Sequence, residues 1–299
     1  MKKTSTSKIF AYSRWDGVAV SAAMLQGIFL GTLFFLFPQL HWAGLLLMGL
    51  VYSISISWNI NGISHNFLHN PYFRSPFLNR LFSIYESIIL GFSQVFYECV
   101  HKRHHQGNSD KRDSNGQTVD WLSIYRYGRD GKPENVWAYT LLSYFRDDTG
   151  RTYQIIKHRD PKEAKWGVFE ISLVIFLAIS GFILNYKFML YFLVFYYIGH
   201  CLSNLNGYYR HFGGNPKEPL AWGVSSYDKI YNWLWFNNGY HAEHHYRPQI
   251  HWTKMRELHA QVKTEMEMKG THIIIPPHAL AFLAPLFKKS SGSVNRGRF

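Results

Sequence analysis

The chain has 299 residues, of which 47% are hydrophobic, and a formal net charge of +13 at pH 7. Its two cysteines, Cys99 and Cys201, are too few for an iron–sulfur cluster and are expected to be buried thiols. The basic surplus suits anionic lipid headgroups or an acidic redox partner, and it also fits a role in orientation and solubility alone. No motif for nucleic-acid binding is present.

The first part of the chain predicts a pair of membrane-spanning helices. After a polar lead-in, residues 1–15, the uncharged run 17–37 matches the roughly 20 residues that cross a bilayer. Residues 41–60 form a second apolar run of similar length. The first run has no small-residue cleavage site and is longer than a signal-peptide core, so no cleavable signal is expected.

The middle of the chain is more polar. The helix of the second run is expected to continue to Asn70, because the following proline disfavours helix at the preceding residue. Residues 81–100 are apolar but interrupted by polar side chains, and predict one helix that lies in the membrane interface. Residues 106–166 predict a cap of short helices and loops.

Two more apolar runs, residues 168–186 and 188–207, predict a second hairpin. Of the 32 Lys and Arg residues, all but Lys187 lie outside the two hairpin turns. The excess of Lys and Arg in cytoplasmic segments therefore predicts that both termini and the cap are cytoplasmic. A short helix is expected at 225–235. Residues 16–289 are expected to form a single domain, and a disordered tail is expected at 290–299.

Half of the sixteen histidines fall into three tight clusters. These clusters are His65-x-x-x-His69, His101-x-x-His104-His105 and His241-x-x-His244-His245. A helix places residues i, i+3 and i+4 on one face, so each cluster can direct its imidazoles to one place. Eight ligands exceed one metal site and nearly satisfy two. Imidazole suits iron, copper, zinc and nickel, so the ligands alone do not name the metal.

The predicted position of the clusters narrows the chemistry. They lie at one membrane surface, above helices that can hold an aliphatic chain. Such a substrate has no polarised carbonyl along its tail, so reaction there means breaking unactivated C–H bonds with oxygen at a redox metal. Soluble di-iron enzymes use Glu-x-x-His pairs, and this chain has one such spacing, Glu98 to His101, without a second.

The order HxxxH, HxxHH, HxxHH around two hairpins resembles the membrane fatty acid desaturase superfamily, which also holds lipid hydroxylases and carotenoid ketolases. The resemblance covers roughly residues 61–248. It implies an all-α integral membrane protein with four membrane helices in two hairpins, and a cytoplasmic helical cap that holds two iron ions. It also implies O₂ as co-substrate and a long-chain acyl lipid as substrate. No heme-binding His-Pro-Gly-Gly segment is present, so electrons are expected from a separate ferredoxin or cytochrome b5 type of protein.

The resemblance further implies a ninth ligand, His211, between the last apolar run and the third cluster. The expected metal ligands are His65, His69, His101, His104, His105, His211, His241, His244 and His245. His200, eleven residues before His211, is expected within the membrane as a hydrogen-bonded or functional histidine. Residues expected to support the ligands from outside are Glu98, Asn204, Asn206 and Asn238. Surface or packing roles are expected for His41, His158, His251, His259, His272 and His278.

The leading hypothesis is an oxygen-dependent di-iron desaturase that acts on an acyl chain. A lipid or carotenoid hydroxylase or ketolase would use the same ligands, and the motifs do not separate these outcomes. A membrane zinc hydrolase needs about three ligands and a base, which leaves five or more clustered histidines unexplained. A metal transporter is disfavoured because its site would lie near the bilayer midplane, whereas all three clusters lie outside the apolar runs.

Overall fold

The computed structural model describes residues 7–107 and 111–283, and this part of the chain is almost entirely helical. Within it, the only sheet is a pair of two-residue parallel strands, β1 (Ser225–Ser226) and β2 (Ile273–Ile274). The structure therefore confirms the mainly α fold class. The predicted tail, 290–299, and the first six residues of the lead-in lie outside the described residues.

Among the described residues, three helices are long and apolar enough to cross a membrane. The first is α1 (Asp16–Leu36), which a 3₁₀ turn extends through Phe37–Gln39. The second begins as α2 (Trp42–Trp58), loosens into a π-helical segment, Asn59–Ser64, and ends as α3 (His65–His69). The expected continuation of this helix to Asn70 is confirmed.

The third such helix, α8 (Pro161–His211), is 51 residues long but is broken at Asn185. The backbone there is non-helical (φ −154°, ψ 79°), and the Asn185 side chain accepts a hydrogen bond from the Phe188 N–H at 3.0 Å. A Cβ on Gly181 would lie 2.6 Å from the sulfur of Met189. Eight residues of continuous helix would span about 12 Å, so the chain folds back at Asn185.

The predicted single helix over residues 81–100 is wrong. The structure has α4 (Pro76–Leu90) and α5 (Gln94–Gly107), separated at Gly91. Gly91 has a left-handed φ of 73°, and a Cβ there would approach the Tyr196 hydroxyl to 2.7 Å. Only glycine adopts this conformation without strain and leaves room for the tyrosine, so the chain turns here.

The buried carboxylate of Glu170, on α8, fixes the start of α5. It accepts hydrogen bonds from the Ser93 hydroxyl at 2.6 Å and from the Val95 N–H at 3.1 Å. The Ser83 hydroxyl of α4 donates to the same carboxylate at 2.7 Å. Glu170 thus ties α4, α5 and α8 together below the second histidine cluster.

Short helices and turns form the remainder of the described residues. They are α6 (Val136–Leu142), α7 (Thr149–Arg159), α9 (Lys229–Leu234), α10 (His241–Tyr246) and α11 (Met255–Met268), with 3₁₀ turns at Ser143–Phe145, Pro219–Ala221, Trp252–Lys254 and His278–Leu283. The helix expected at 225–235 is shorter, because β1 occupies its first residues. An apolar cluster that includes Leu220, Ala242 and Leu258 packs α10 against α11.

Candidate metal centre

All nine predicted ligands are fully or largely buried, and they form two groups. Within each group, the ligand nitrogens all lie within 4.8 Å of one another. The five-histidine group contains His65, His69, His101, His105 and His244. The four-histidine group contains His104, His211, His241 and His245. The structure therefore brings together the residues of all three clusters and His211.

Each HxxHH cluster is divided between the two groups. On α5, His101 and His105 belong to the five-histidine group and His104 to the other. On α10 the division is reversed, because His241 and His245 belong to the four-histidine group and His244 to the other. Residues i and i+4 lie about 40° apart around a helix, whereas adjacent residues lie about 100° apart. The motif thus gives one helix two neighbouring metal-facing directions.

The two remaining elements each serve one group. The π-helical segment Asn59–Ser64 precedes α3 and carries His65 and His69 into the five-histidine group. A π-helical turn holds an extra residue, so it changes the direction in which the following side chains point. His211, the last residue of α8, joins the four-histidine group.

The ring nitrogens converge at the spacing that a metal ion requires. In the five-histidine group, the Nε2 atom of His101 lies 2.7 Å from that of His69 and 3.1 Å from that of His105. In the four-histidine group, the Nε2 atom of His211 lies 3.1 Å from those of His104 and His241. Two nitrogens bound at about 2.0–2.1 Å from one metal, at right angles, would be about 3 Å apart.

The environment of His65 is a second observation that fits a metal ion. It is 3% exposed, and neither ring nitrogen has a hydrogen-bond partner among the described residues. Buried polar atoms are rarely left unpaired unless an ion or water completes them. The five-histidine group therefore fits a metal ion.

Burial also keeps the histidines of α5 and α10 in the form that binds metal. It lowers the pKa of His101, His105, His241, His244 and His245 well below the ordinary value, and neighbouring histidines lower it further. Metal ligation requires the neutral imidazole. These ligands are therefore deprotonated at neutral pH without the metal having to displace a proton.

Asp120 supports the four-histidine group and was not predicted from the sequence. Its fully buried carboxylate lies 2.8 Å from Nδ1 of His104. Such a contact fixes the tautomer and leaves Nε2 free for a metal. Asp120 lies in a polar loop rich in acidic residues, so no feature of the sequence distinguishes it from its neighbours.

Glu243, inside the third cluster, is a second unpredicted carboxylate. It is fully buried and accepts hydrogen bonds from the hydroxyls of Ser225 and Tyr227, at 2.7 and 2.8 Å. Nδ1 of His259 lies 2.6 Å away. These contacts anchor α10, which contributes ligands to both groups.

The four residues expected to support the ligands contact other partners. Glu98 pairs with Lys102 on the outer face of α5, and Asn204 donates to the Thr140 carbonyl at 3.2 Å. Asn206 and Asn238 both accept from the Tyr231 hydroxyl, at 3.5 and 3.4 Å. Within the described residues, none of the four is hydrogen-bonded to a histidine of either group.

The other histidines lie outside the two groups. His200 is enclosed by the rings of Phe92, Tyr144 and Tyr196, with centroid distances of 5.7, 4.8 and 4.5 Å. His251 and His278 are fully buried and pack as expected: His251 lies 2.9 Å from Asp16, and His278 lies 3.0 Å from the Tyr231 hydroxyl and 2.8 Å from the Val224 carbonyl.

A cavity of about 490 Å³ adjoins both groups. Its walls include His65 and His101 of the five-histidine group, and His104, His211 and His241 of the other. Away from the histidines, aromatic and aliphatic side chains dominate, among them Phe92, Phe96, Ile171 and Tyr196. Ligand sites are characteristically apolar cavities of this size with a few convergent polar groups.

Long apolar helices and two sets of converging imidazoles define a class of protein: helical membrane proteins with a buried histidine-rich site that could hold metal ions. The family model for fatty acid desaturases matches residues 40–277. The chain therefore belongs to the fatty acid desaturase family, which confirms the resemblance inferred from the histidine clusters.

A curated relative is the sphingolipid delta(4)-desaturase of Candida albicans, which is 25% identical over 216 residues. The match covers 65% of this chain and 55% of the relative. The chain thus spans about half the length of that protein. No solved structure matches the present chain significantly.

Proposed function

We propose that the protein is an oxygen-dependent di-iron desaturase that introduces a double bond into the acyl chain of a lipid. The observation that carries the proposal is the arrangement of nine converging imidazoles in two groups beside an apolar cavity. Membership of the fatty acid desaturase family and the likeness to a sphingolipid desaturase support it.

The donor set fits two metal ions, one held by His65, His69, His101, His105 and His244, the other by His104, His211, His241 and His245. Imidazole nitrogens accommodate iron, and C–H oxidation needs a redox metal. When bound, two iron ions would supply the activation of O₂ with two electrons from a separate donor protein. The apolar side chains of the cavity would hold the acyl chain and exclude water from it.

We further propose four membrane spans in two hairpins, with the termini and the metal centre in the cytoplasm. The break at Asn185 supports this arrangement, because it divides a 51-residue helix into two segments that fold back on each other. The position of nearly all basic residues outside the hairpin turns supports the orientation. The test uses a variant without Cys99 and Cys201, in which one cysteine is introduced at residue 40 or at residue 186 and labelled from either side of sealed vesicles.

Two other reactions use a comparable centre. Hydroxylation or ketone formation requires the same ligands, and the likeness to a relative named a desaturase favours desaturation. A zinc hydrolase would need three ligands, so six of the nine converging histidines would have no role in it.

The test is expression in a host of known lipid content, followed by mass spectrometry of the lipids and elemental analysis of the purified protein. We expect two irons per chain and a lipid product two hydrogens lighter that forms only with O₂. The matched control is His244→Ala, which should insert normally and yield no product. Two zinc ions with turnover in the absence of O₂ would overturn the proposal.

A further inference from the structure

Arg210, next to His211 on α8, is a buried cation for which the metal centre has no evident use. Its side chain is 5% exposed, and the guanidinium lines the cavity. Nε and Nη2 are buried and have no hydrogen-bond partner among the described residues. None of the ion pairs within residues 7–107 and 111–283 includes it.

Arg210 has no carboxylate paired with it among the described residues; the cavity also has Asp147 in its wall, but the two side chains form no ion pair. Its polar neighbours are the hydroxyls of Tyr97 and Tyr231, and the second of these is hydrogen-bonded to the guanidinium. The histidines that interact with it electrostatically belong to both groups, and include His65, His241 and His244. Bound metal ions would add positive charge on that side. A guanidinium buried in this way is costly unless an acceptor reaches it.

A molecule bound in the cavity can supply such an acceptor. Most of the cavity wall is apolar and suits an acyl chain, and two nitrogens of the guanidinium, Nε and Nη2, have N–H groups without an acceptor among the described residues. The apolar walls therefore suit the acyl chain of a lipid, and Arg210 suits its polar end. Since Arg210 lies beside both metal groups, a lipid bound there would place its first few methylenes next to the metal ions.

We propose that Arg210 binds a carbonyl oxygen at the polar end of the lipid, an amide or an ester, and so selects carbons close to that end for oxidation. This inference rests on the proposed function and specifies its substrate.

The test compares Arg210→Gln, Arg210→Lys and the exposed control Arg112→Gln in the full-length protein in nanodiscs. The probes form two matched pairs: an N-acyl dihydrosphingosine with its N-alkyl analogue, and a diacyl with a dialkyl phosphatidylcholine. Binding is measured by tryptophan fluorescence, which does not require turnover, and the metal content of each variant is recorded.

We expect the wild type and Arg112→Gln to bind the carbonyl-containing member of one pair about 10- to 100-fold more tightly than its analogue, the range for a hydrogen bond to a charged group. Arg210→Gln should lose this preference at unchanged metal content, and Arg210→Lys should keep part of it. The pair that shows the preference identifies an amide or an ester as the acceptor.

An Arg210→Gln variant that keeps the preference would overturn the inference, and so would a wild type without a preference in either pair. If Arg210→Gln loses metal, the same binding comparison is made between metal-free wild type and metal-free variant. Failure of the proposed function would show differently, as a wild type that binds lipid but forms no O₂-dependent product.

Discussion

The five-histidine group takes its ligands from α3, α5 and α10, whereas the four-histidine group takes them from α5, the end of α8 and α10. The first has one more imidazole, and His65 within it has no other polar partner among the described residues. The second has fewer imidazoles, but the carboxylate of Asp120 orients His104. A metal site can thus be stabilised by an additional ligand or by hydrogen bonds to the ligands that it has.

Loss of one ligand should therefore affect the two groups unequally. His104→Ala leaves three imidazoles in its group and strands the buried carboxylate of Asp120, so we expect that metal to be lost and turnover to fall by more than ~100-fold. His69→Ala leaves four imidazoles in the other group and should retain most of its metal. Elemental analysis of both variants checks the difference, and two metals per chain in His104→Ala would contradict the assignment.

The contribution of α8 to the four-histidine group can be separated from general effects on that helix. His211→Ala should remove the metal of this group and leave the other. His200→Ala changes the same helix eleven residues earlier, where the ring lies among aromatic side chains, and should leave both metals in place. If His200→Ala lost a metal and His211→Ala kept both, the ninth ligand would be His200 and not His211.

Asp120→Asn tests the hydrogen bond that distinguishes the groups. Removing the negative charge while keeping the shape should lower metal affinity in the four-histidine group by about 10- to 100-fold, and leave the five-histidine group unchanged. Competition with a chelator measures both affinities. Asp130→Asn is the matched control, since Asp130 is exposed in a left-handed conformation that asparagine tolerates. Equal weakening of both groups would show that Asp120 has no selective role.

The smallest effect is expected for Glu243→Gln, because Glu243 supports both groups only through α10. The carboxylate accepts two hydroxyl hydrogen bonds and lies beside Nδ1 of His259. Glutamine cannot satisfy all three partners, so we expect a fall in melting temperature and a weakening of both metals by less than about 10-fold. Glu267→Gln, on the exposed face of α11, serves as control. Loss of only one of the two metals would show that Glu243 supports one histidine group and not both.

The sequence was most informative about the ligands. The i, i+4 spacing of His101 with His105, and of His241 with His245, follows from helix geometry and required no knowledge of the packing. The continuation of the second apolar helix to Asn70 was likewise set by a local rule, the effect of a following proline. Local patterns of this kind are readable because the partners are close together in the chain.

Other features depended on residues distant in sequence. The break at Gly91 serves the close approach of Tyr196, more than a hundred residues away, and the interrupted apolar pattern of residues 81–100 gave no sign of it. Asp120 and Glu243 became visible as supporting carboxylates only when folding placed Asp120 beside His104, and Ser225 beside Glu243.

By itself, the sequence determined a helical membrane protein with eight histidines at metal-ligand spacing, because helix periodicity and apolar length are local properties. The ninth histidine, His211, was expected only from the resemblance to a family. The tertiary structure decided how those histidines divide, five and four, and which carboxylates hold them. It also placed Arg210, with two guanidinium nitrogens that have no hydrogen-bond partner among the described residues, in the wall of the cavity beside both groups. The physical reason is that convergence and burial are properties of packing, and packing joins residues whose separation along the chain carries no signal.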